Sequence, residues 1–220
     1  MVDVALRPDK RTQVIAVGTS IRKPAAVLRY YLASLAAQEL PPNTRLVPLF
    51  VLDGCDPDAA QLVVDFVAQY EGGLVMNGPP ALAPDFSDAH PDSHQWSESA
   101  MLRVGAAKDH IIATARSLNV DALWFCDADL ICDTTTLASL LAAPGPITSA
   151  VYWTRWSARV IETQPVWAAP QVWLTHPYGL TGAGLTEPEF RDRLTRRQLT
   201  KVLGYGACTL LTKRALEAGV

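Results

Sequence analysis

Residues 121–133, DALWFCDADLICD, decide the fold prediction. The first six of them form an apolar run of the length of a buried strand, and this run leads directly into Asp127 and Asp129. In an open α/β sheet, ligands gather at the carboxyl ends of strands, so we expect both carboxylates to face a crevice there. Two carboxylates one residue apart in a turn can converge on a hard cation such as Mg²⁺ or Mn²⁺, which prefers oxygen ligands.

The same acidic turn has a structural alternative, because an aspartate can cap the N-terminus of the next helix. Asp129 or Asp133 would then accept hydrogen bonds from the free N–H groups of that helix. Capping suits Asp133 better, since it directly precedes the predicted helix at 137–141. The position of Asp127 and Asp129 after a buried strand favours a functional site for this pair.

Strand and helix patterns alternate along the first half of the chain. Apolar stripes at helical spacing follow Pro24 and Pro57, and proline suits the first turn of a helix. This alternation predicts an α/β fold with a mostly parallel sheet flanked by helices, and the aromatic second half predicts a small antiparallel extension. With no internal repeat and no linker, residues 1–220 are expected to form a single domain. The predicted strands are 13–18, 45–53, 74–76, 121–126 and 147–153, and the longest predicted helix is 99–118.

Composition excludes several classes of protein. The chain is 49% hydrophobic and 19% charged, as globular proteins are, and its net charge of −3 argues against broad nucleic-acid binding. No apolar stretch is long enough for a transmembrane segment, and the N-terminus lacks the apolar core of a signal peptide. The cysteines form no CxxC motif, so we expect reduced thiols in a cytoplasmic protein. They are Cys55, Cys126, Cys132 and Cys208.

The order of these segments resembles the GT-A class of glycosyltransferases, near the large inverting family that holds many bacterial sugar transferases. The resemblance covers most of the chain and implies a Rossmann-like GT-A fold. It also implies metal-dependent transfer, expected to be inverting and of the hexosyltransferase type, from a nucleoside-diphosphate sugar to a carbohydrate, lipid-linked or protein acceptor. The matching segments are VGTSIRKP (17–24), VLDGCDPD (51–58), AAKDHIIATA (106–115), ALWFCDAD (122–129) and GYGACTLLTKRAL (204–216).

The resemblance also implies roles for residues that bind the donor nucleotide. Asp53 would hydrogen-bond the base or ribose, although a turn-forming role beside Gly54 is an equal alternative. Arg103 and Lys108 could face the base or the diphosphate, or could lie on a solvated helix face. Thr19 and Arg22 would contact the nucleotide. Asp127 would lie near the ribose, and together with Asp129 it would bind Mn²⁺ or Mg²⁺.

The expected general base has no clear counterpart. The family places a further acidic motif beyond a helix that would start here near Lys213, whereas this sequence ends at Val220. We therefore expect either a C-terminally incomplete catalytic unit or a base from elsewhere. The late acidic candidates are Glu187 and Asp192.

Aromatic and histidine residues in the second half offer weaker signals. Tryptophans stack well on the apolar faces of sugars, so Trp156 is a candidate for an acceptor groove, with core packing as its alternative; core packing is favoured for Trp153. His176 could be a further metal ligand, but its position before a proline favours a role as a turn residue. Thr186 and Glu189 form a capping-box pattern. The other residues considered are Trp167 and Trp173 for the groove, and His90 and His94, which are read as solvated.

Two other classes remain open on the sequence. A haloacid-dehalogenase-like phosphatase also carries Asp-x-Asp after a strand, with Asp127 as its nucleophile, but that motif normally ends the first strand of the fold. Its further candidate residues would be Thr148 or Ser149 and Lys201 or Lys213. A non-catalytic nucleotide- or carbohydrate-binding module of the same fold is the second alternative, and a sugar-nucleotide hydrolysis assay would distinguish it.

Overall fold

The computed structural model describes residues 11–78, 98–154, 169, 170, 172, 174, 184–204 and 206–219. Helices and strands alternate through most of the described chain. In chain order they are β1 (Gln13–Ile21), α1 (Ala25–Ala36), β2 (Thr44–Leu52), α2 (Pro57–Val67), β3 (Leu74–Asn77), α3 (Glu98–Ser117), β4 (Ala122–Cys126), α4 (Thr136–Ala142), β5 (Ile147–Ser149), β6 (Trp153–Thr154), β7 (Ala169–Pro170), α5 (Glu187–Thr195), β8 (Cys208–Thr212) and α6 (Lys213–Glu217).

The main sheet has six strands in the order β3-β2-β1-β4-β8-β5. Strands β1, β2, β3 and β4 pair in parallel, while β8 is antiparallel to both of its neighbours, so β5 runs in the same direction as β4. Strands β6 and β7 form a separate antiparallel pair. The prediction of an α/β fold with a mostly parallel sheet, flanking helices and a small antiparallel extension is therefore confirmed.

Helices cover both faces of the main sheet, which explains why its central strands are apolar throughout. On one face, α1, α2 and α4 bury residues such as Tyr31, Phe66 and Leu137 against the sheet. On the other face, α3 and α6 pack Ile111 and Leu216 against it. Strands buried on both faces read as continuous apolar runs rather than as alternating ones. This is the pattern that 121–126 shows in the sequence.

A glycine in β1 sets how closely α3 approaches the sheet. A Cβ atom on Gly18 would lie 2.6 Å from Cγ2 of Ile111 and 3.2 Å from Cδ1 of Leu123. The helix therefore packs on the bare backbone of β1, which brings the side chains at the start of α3 close to the strand ends.

Helix starts follow the capping signals of the sequence. The Asp56 carboxylate accepts a hydrogen bond from Ala59 N–H at 2.7 Å. Before α4, the Asp133 carboxylate accepts from both the N–H and the hydroxyl of Thr135. Thr135 is the residue that directly precedes the helix, so Asp133 stabilises the turn before α4, whereas the predicted role was to accept from the N–H groups of the helix itself. At α5 the Glu189 carboxylate accepts a hydrogen bond from the Thr186 N–H, which is the reciprocal contact of a capping box, and the Thr186 hydroxyl donates to the same carboxylate.

One strand is shorter than predicted. The apolar run at 147–153 forms β5 only as far as Ser149, because pairing with β8 ends where Ala150 N–H bonds to the Cys208 carbonyl. Beyond Ala150 the chain no longer pairs with β8, and Trp153 belongs to β6. Within the described residues, none of the helices is both long and apolar enough to cross a membrane. The predictions for His90, His94, Trp156, Trp167, Trp173 and His176 lie outside the described residues.

Candidate functional site

The carboxyl ends of β1, β2 and β4 meet at one edge of the sheet. From β1 the chain moves outward to β2 and β3 on one side, whereas β4 lies on the other side. This reversal of strand order opens a crevice above β1 and β4, and such switch points are where open α/β sheets bind ligands. The residues that leave the strands there are Arg22 after β1, Asp53 after β2 and Asp127 after β4.

Backbone hydrogen bonds fix the acidic turn after β4. The Asp127 N–H donates to the Ala207 carbonyl at 2.8 Å, and its own carbonyl accepts from Leu130 N–H at 3.0 Å. The Tyr31 hydroxyl donates to the Cys126 carbonyl at 2.9 Å, which holds the end of the strand from the α1 side. The turn therefore carries Asp129 outward, where 41% of its side chain is exposed.

Two lysines flank the acidic pair. Lys23 Nζ lies 2.7 Å from Oδ2 of Asp129, and Lys108 Nζ lies 3.7 Å from Oδ1 of Asp127. Lys108 also sits 5.6 Å from the centre of the Phe125 ring, a cation–π distance. One lysine comes from the loop after β1 and the other from α3, so the site holds two carboxylates and two cations drawn from three segments of the chain.

The environment of Asp127 disfavours its charged form. Burial raises the pKa of its carboxyl group, the Lys108 ammonium lowers it in part, and the nearby Asp129 carboxylate raises it further. The net pKa lies above the ordinary value mainly because burial desolvates the charged carboxylate, and repulsion from Asp129 adds to this effect.

Asp53 and Arg103 form a second charged pair at the same edge. Arg103 Nε lies 3.4 Å from Oδ1 of Asp53, and both side chains are nearly buried. Asp53 N–H donates to the Ile21 carbonyl, and Gly54 then turns the chain with a φ of +72°. Asp53 thus begins a turn, and its carboxylate pairs with a guanidinium group; its contact with a base or ribose stays a prediction. Arg103 and Lys108 face the strand ends rather than a solvated helix face.

Other predicted residues sit further from the acidic turn or in different surroundings. Thr19 is buried in β1, where its hydrogen bond with Tyr31 lowers the pKa of that phenol against the larger effect of burial. Arg22 follows β1 directly and is half-buried. Glu187 and Asp192 are exposed and form ion pairs within α5, at 2.7 Å with Arg191 and 3.1 Å with Arg196. Their roles in binding or catalysis stay predictions.

Two residues of the site were missed by the sequence reasoning. Lys23 belongs to the matched segment VGTSIRKP, and its place in the loop after β1 was the available signal. Tyr152 follows β5 at the same edge of the sheet: burial raises the pKa of its phenol, a hydrogen bond with the Ala207 backbone lowers it, and Asp127 and Asp129 raise it further. A Cβ on Gly206 would lie 3.6 Å from the Tyr152 hydroxyl, so Tyr152 borders the acidic turn across that glycine.

Comparisons with known proteins give likenesses of fold. No family model and no curated protein matches the sequence. A mannosyltransferase from Pyrobaculum calidifontis, solved in complex with GDP-Man and Mn²⁺, is 17% identical over 68% of this chain and 38% of that chain, with a TM-score of 0.41. The S. aureus protein TarS, in complex with UDP-GlcNAc, is 15% identical over 59% of this chain and 30% of that chain, with a TM-score of 0.39.

A second TarS structure is 17% identical over 59% of this chain and 32% of that chain, with a TM-score of 0.38. The chain thus spans between 30% and 38% of the length of these solved structures. Likenesses of this size assign no activity to this chain.

Proposed function

We propose that this chain is a glycosyltransferase domain that binds a nucleoside-diphosphate sugar at the carboxyl edge of its sheet. The observation that carries the proposal is the acidic pair Asp127 and Asp129, set between Lys23 and Lys108 at the switch point between β1 and β4. A diphosphate bridged by a divalent cation needs carboxylates for the metal and ammonium groups for the phosphate oxygens. This edge of the sheet supplies both.

The residues present fit Mn²⁺ or Mg²⁺ shared with a substrate. Among the residues that the structure describes, no cluster of three or more His, Cys, Asp or Glu side chains is arranged to hold a metal alone. Mg²⁺ is commonly bound through one or two carboxylates, with phosphates and water completing its shell. Asp129 would be the principal direct ligand and Asp127 the second ligand, closer to the ribose. When bound, the cation would offset the negative charge that develops on the departing diphosphate.

The two lysines suit the phosphate groups. Each ammonium is paired with one carboxylate of the acidic pair, and a bound cation would take over that pairing. Lys23 and Lys108 would then turn to phosphate oxygens without leaving the site. Arg22, next to Lys23, is a further candidate for the same contact. In the proposed transfer, an acceptor hydroxyl gives its proton to a base and its oxygen bonds to the anomeric carbon, while the bond from that carbon to the diphosphate oxygen breaks and the nucleoside diphosphate leaves.

Asp53 and Arg103 are proposed to bind the nucleoside. Because β1 lies between β2 and β4 in the sheet, Asp53 and Arg103 are on the other side of β1 from the acidic turn. A carboxylate at this position can accept hydrogen bonds from a ribose or a base, and the Arg103 guanidinium holds it in place. Gly78 borders Asp53, where a Cβ atom would lie 2.9 Å from the Leu52 carbonyl and 3.6 Å from Oδ1 of Asp53. Its bare backbone keeps the space beside the carboxylate open.

Calorimetric titration of nucleotides tests the proposal. UDP, GDP, CDP, ADP and TDP are titrated with and without Mn²⁺ into the wild type, Asp129→Asn and Asp133→Asn. We expect one nucleotide to bind in a Mn²⁺-dependent way and Asp129→Asn to weaken it at least about tenfold, as loss of a charged interaction of about 1.5–3 kcal/mol would. Asp133→Asn is the matched control, because Asn accepts the same hydrogen bonds from Thr135. Absence of binding by all five nucleotides, or equal affinity in wild type and Asp129→Asn, would contradict the proposal.

The phosphatase alternative loses support from the position of Lys213, one of its two candidate lysines. Lys213 Nζ donates to Asn119 Oδ1 at 2.7 Å, and Lys213 N–H bonds to the carbonyl of Asp121 at the start of β4. It therefore lies at the sheet edge opposite Asp127. Incubation with a phosphorylated substrate distinguishes the two classes, since a phosphatase would form a covalent phosphoryl adduct that Asp127→Asn abolishes. Mn²⁺-dependent hydrolysis of a sugar nucleotide distinguishes an enzyme from a non-catalytic module.

A further inference from the structure

Three of the four cysteines meet directly beneath the acidic turn, although they are spread along the sequence. The Sγ atoms of Cys126 and Cys132 are 3.4 Å apart. Cys208 lies opposite Cys126 in the antiparallel ladder of β4 and β8, and its Sγ accepts a hydrogen bond from Trp124 Nε1 at 3.4 Å. Cys55 is outside this group. We call Cys126, Cys132 and Cys208 the thiol cluster.

The segment after the turn is held so that Cys132 keeps its place. Cys132 N–H donates to the Ser34 hydroxyl at 3.3 Å, and Gln38 Nε2 donates to the Asp133 carbonyl at 2.8 Å. Gln38 also accepts from Leu137 N–H at 3.0 Å, so α1 fixes the segment on both sides of Asp133. Cys126 is fixed as the last residue of β4. The short distance between the two sulfur atoms therefore follows from the packing of α1 against the turn.

We propose that Cys126 and Cys132 form a reversible disulfide when the protein meets a peroxide. To form the bond, the two sulfur atoms need to approach from 3.4 Å to about 2 Å. Metal binding fits less well, because two thiolates on one tetrahedral zinc, with Zn–S of about 2.3 Å, lie roughly 3.75 Å apart. The described residues also show no His, Cys, Asp or Glu group arranged as a metal site.

The oxidation balances with hydrogen peroxide as the oxidant. The partly exposed Cys132 thiol loses its proton and attacks one peroxide oxygen, the O–O bond breaks, and hydroxide leaves and takes up a proton to become water. The contact with Cys126 lowers the pKa of Cys132, but the contact with Cys208 and burial raise it to about 12 overall, so the first step is slow at neutral pH. The second thiol then attacks the resulting sulfenic sulfur, the S–O bond breaks, and a second water leaves. Two thiols and one peroxide thus give one disulfide and two waters. Cys132 is partly exposed and gives the oxidant access, whereas Cys126 is fully buried.

The disulfide would close a small ring around the acidic pair. The five residues between the two cysteines are Asp127 to Ile131, so the bond would tie the start of the turn to its end. Disulfides in reducing compartments are commonly transient and redox-sensing, so we expect this bond to be reversible. The pair would therefore be an oxidation site within the candidate metal-binding turn. Its existence does not depend on the proposed function.

Peptide mapping tests the proposal directly. The folded wild type is treated with hydrogen peroxide, its remaining thiols are alkylated, and the protein is digested with trypsin. Cys126 and Cys132 share the peptide 117–155, Cys208 lies on 202–213 and Cys55 on 46–103. We expect peptide 117–155 to remain a single peptide, to lose both alkyl groups and to lack two hydrogens. Dithiothreitol should restore both alkylation sites, and the peptides of Cys55 and Cys208 should be alkylated throughout.

Two variants serve as matched controls. Cys55→Ser removes a thiol outside the cluster and should leave the oxidised peptide unchanged. Cys132→Ser should abolish the disulfide while circular dichroism shows the fold retained. Full alkylation of 117–155 after peroxide would overturn the proposal. So would a cross-link between 117–155 and 202–213, or conversion of Cys132 to sulfinic acid with Cys126 still alkylated.

Discussion

Arg103 on α3 reaches across the sheet edge to the carboxylate of Asp53 at the end of β2, with Nε and Oδ1 3.4 Å apart. Both groups are almost enclosed by protein, with 12% and 9% of their side chains exposed. A charge at this depth is stable only while its partner is present. The pair therefore joins helix and strand, and it also presets one side of the candidate nucleotide site.

Removal of one charge of this pair should destabilise the fold. Asp53→Asn keeps the size of the side chain but leaves the guanidinium without its carboxylate, so we expect the free energy of unfolding to fall by about 3 kcal/mol. Denaturant unfolding is the measurement. Asp192→Asn, which breaks an exposed pair with Arg196, is the control and should cost about 0.5 kcal/mol. An equally small effect for Asp53→Asn would show that the buried pair contributes little.

Replacing either of two glycines, Gly18 and Gly105, by alanine should change the stability of the protein, but in opposite directions. A Cβ on Gly18 would meet Ile111 at 2.6 Å, so Gly18→Ala forces α3 away from β1 and should destabilise the protein by about 1–3 kcal/mol. Gly105 lies in α3, where a Cβ atom would have no neighbouring atom within 4 Å, so Gly105→Ala should stabilise by about 0.5–1 kcal/mol. Thermal unfolding of both variants provides the measurement. Shifts of the same sign would contradict the packing described for α3.

Lys23 should contribute to nucleotide binding through its ammonium group. Lys23→Ala removes a charge that lies 2.7 Å from Asp129, and we expect the affinity for the nucleotide diphosphate to fall about tenfold, since a charge-assisted contact is lost. Lys213→Ala is the control, because Lys213 lies at the opposite sheet edge beside Asn119. Titration calorimetry measures both. Equal losses for the two variants would point to a general electrostatic effect rather than to a contact.

The capping box of α5 should make its contribution to stability depend on pH. Hydrogen bonds from the Thr186 backbone and then from its hydroxyl lower the pKa of Glu189 below its ordinary value of 4.5. The stabilising contribution is therefore fully present above pH 4.5 and is lost as the pH falls through the lowered pKa. The difference in Tm between wild type and Glu189→Gln should shrink over that range in a pH series of thermal unfolding. A difference that stays constant down to about pH 3 would contradict this.

Local patterns were sufficient to predict much of the fold. The apolar runs of β1, β2 and β4 are buried on both faces, and the capping residues Asp56 and Thr186 mark helix starts in the sequence. The acidic turn was predicted for the same reason, since a strand followed by Asp127 and Asp129 is a local signal. The pairing of Cys126 with Cys208 was not predictable, because long-range antiparallel contacts leave no periodic trace in the residues between.

The ion pairs of the site show the same limit. Lys23 and Asp129 are far apart in the sequence, and only the parallel pairing of β1 with β4 brings the loops that carry them together. For Arg103 and Lys108 the pattern of α3 did not decide which face turns toward the sheet. The close approach of α3 to β1 at Gly18 determines which face of the helix turns toward the sheet. That contact depends on where Ile111 packs.

The insertion of β8 between β4 and β5 determines when the sheet can be completed during synthesis on the ribosome. β4 can pair with β1 as soon as it emerges, yet its other edge has to wait for residues 208–212. β5 emerges earlier than β8 but has its sheet partner only in β8. A nascent chain therefore carries an open strand edge beside Cys126 through the translation of all intervening residues, and such edges are prone to wrong pairing. The bond from Asp127 N–H to the Ala207 carbonyl forms in that last step, so the acidic turn is set only when the sheet closes.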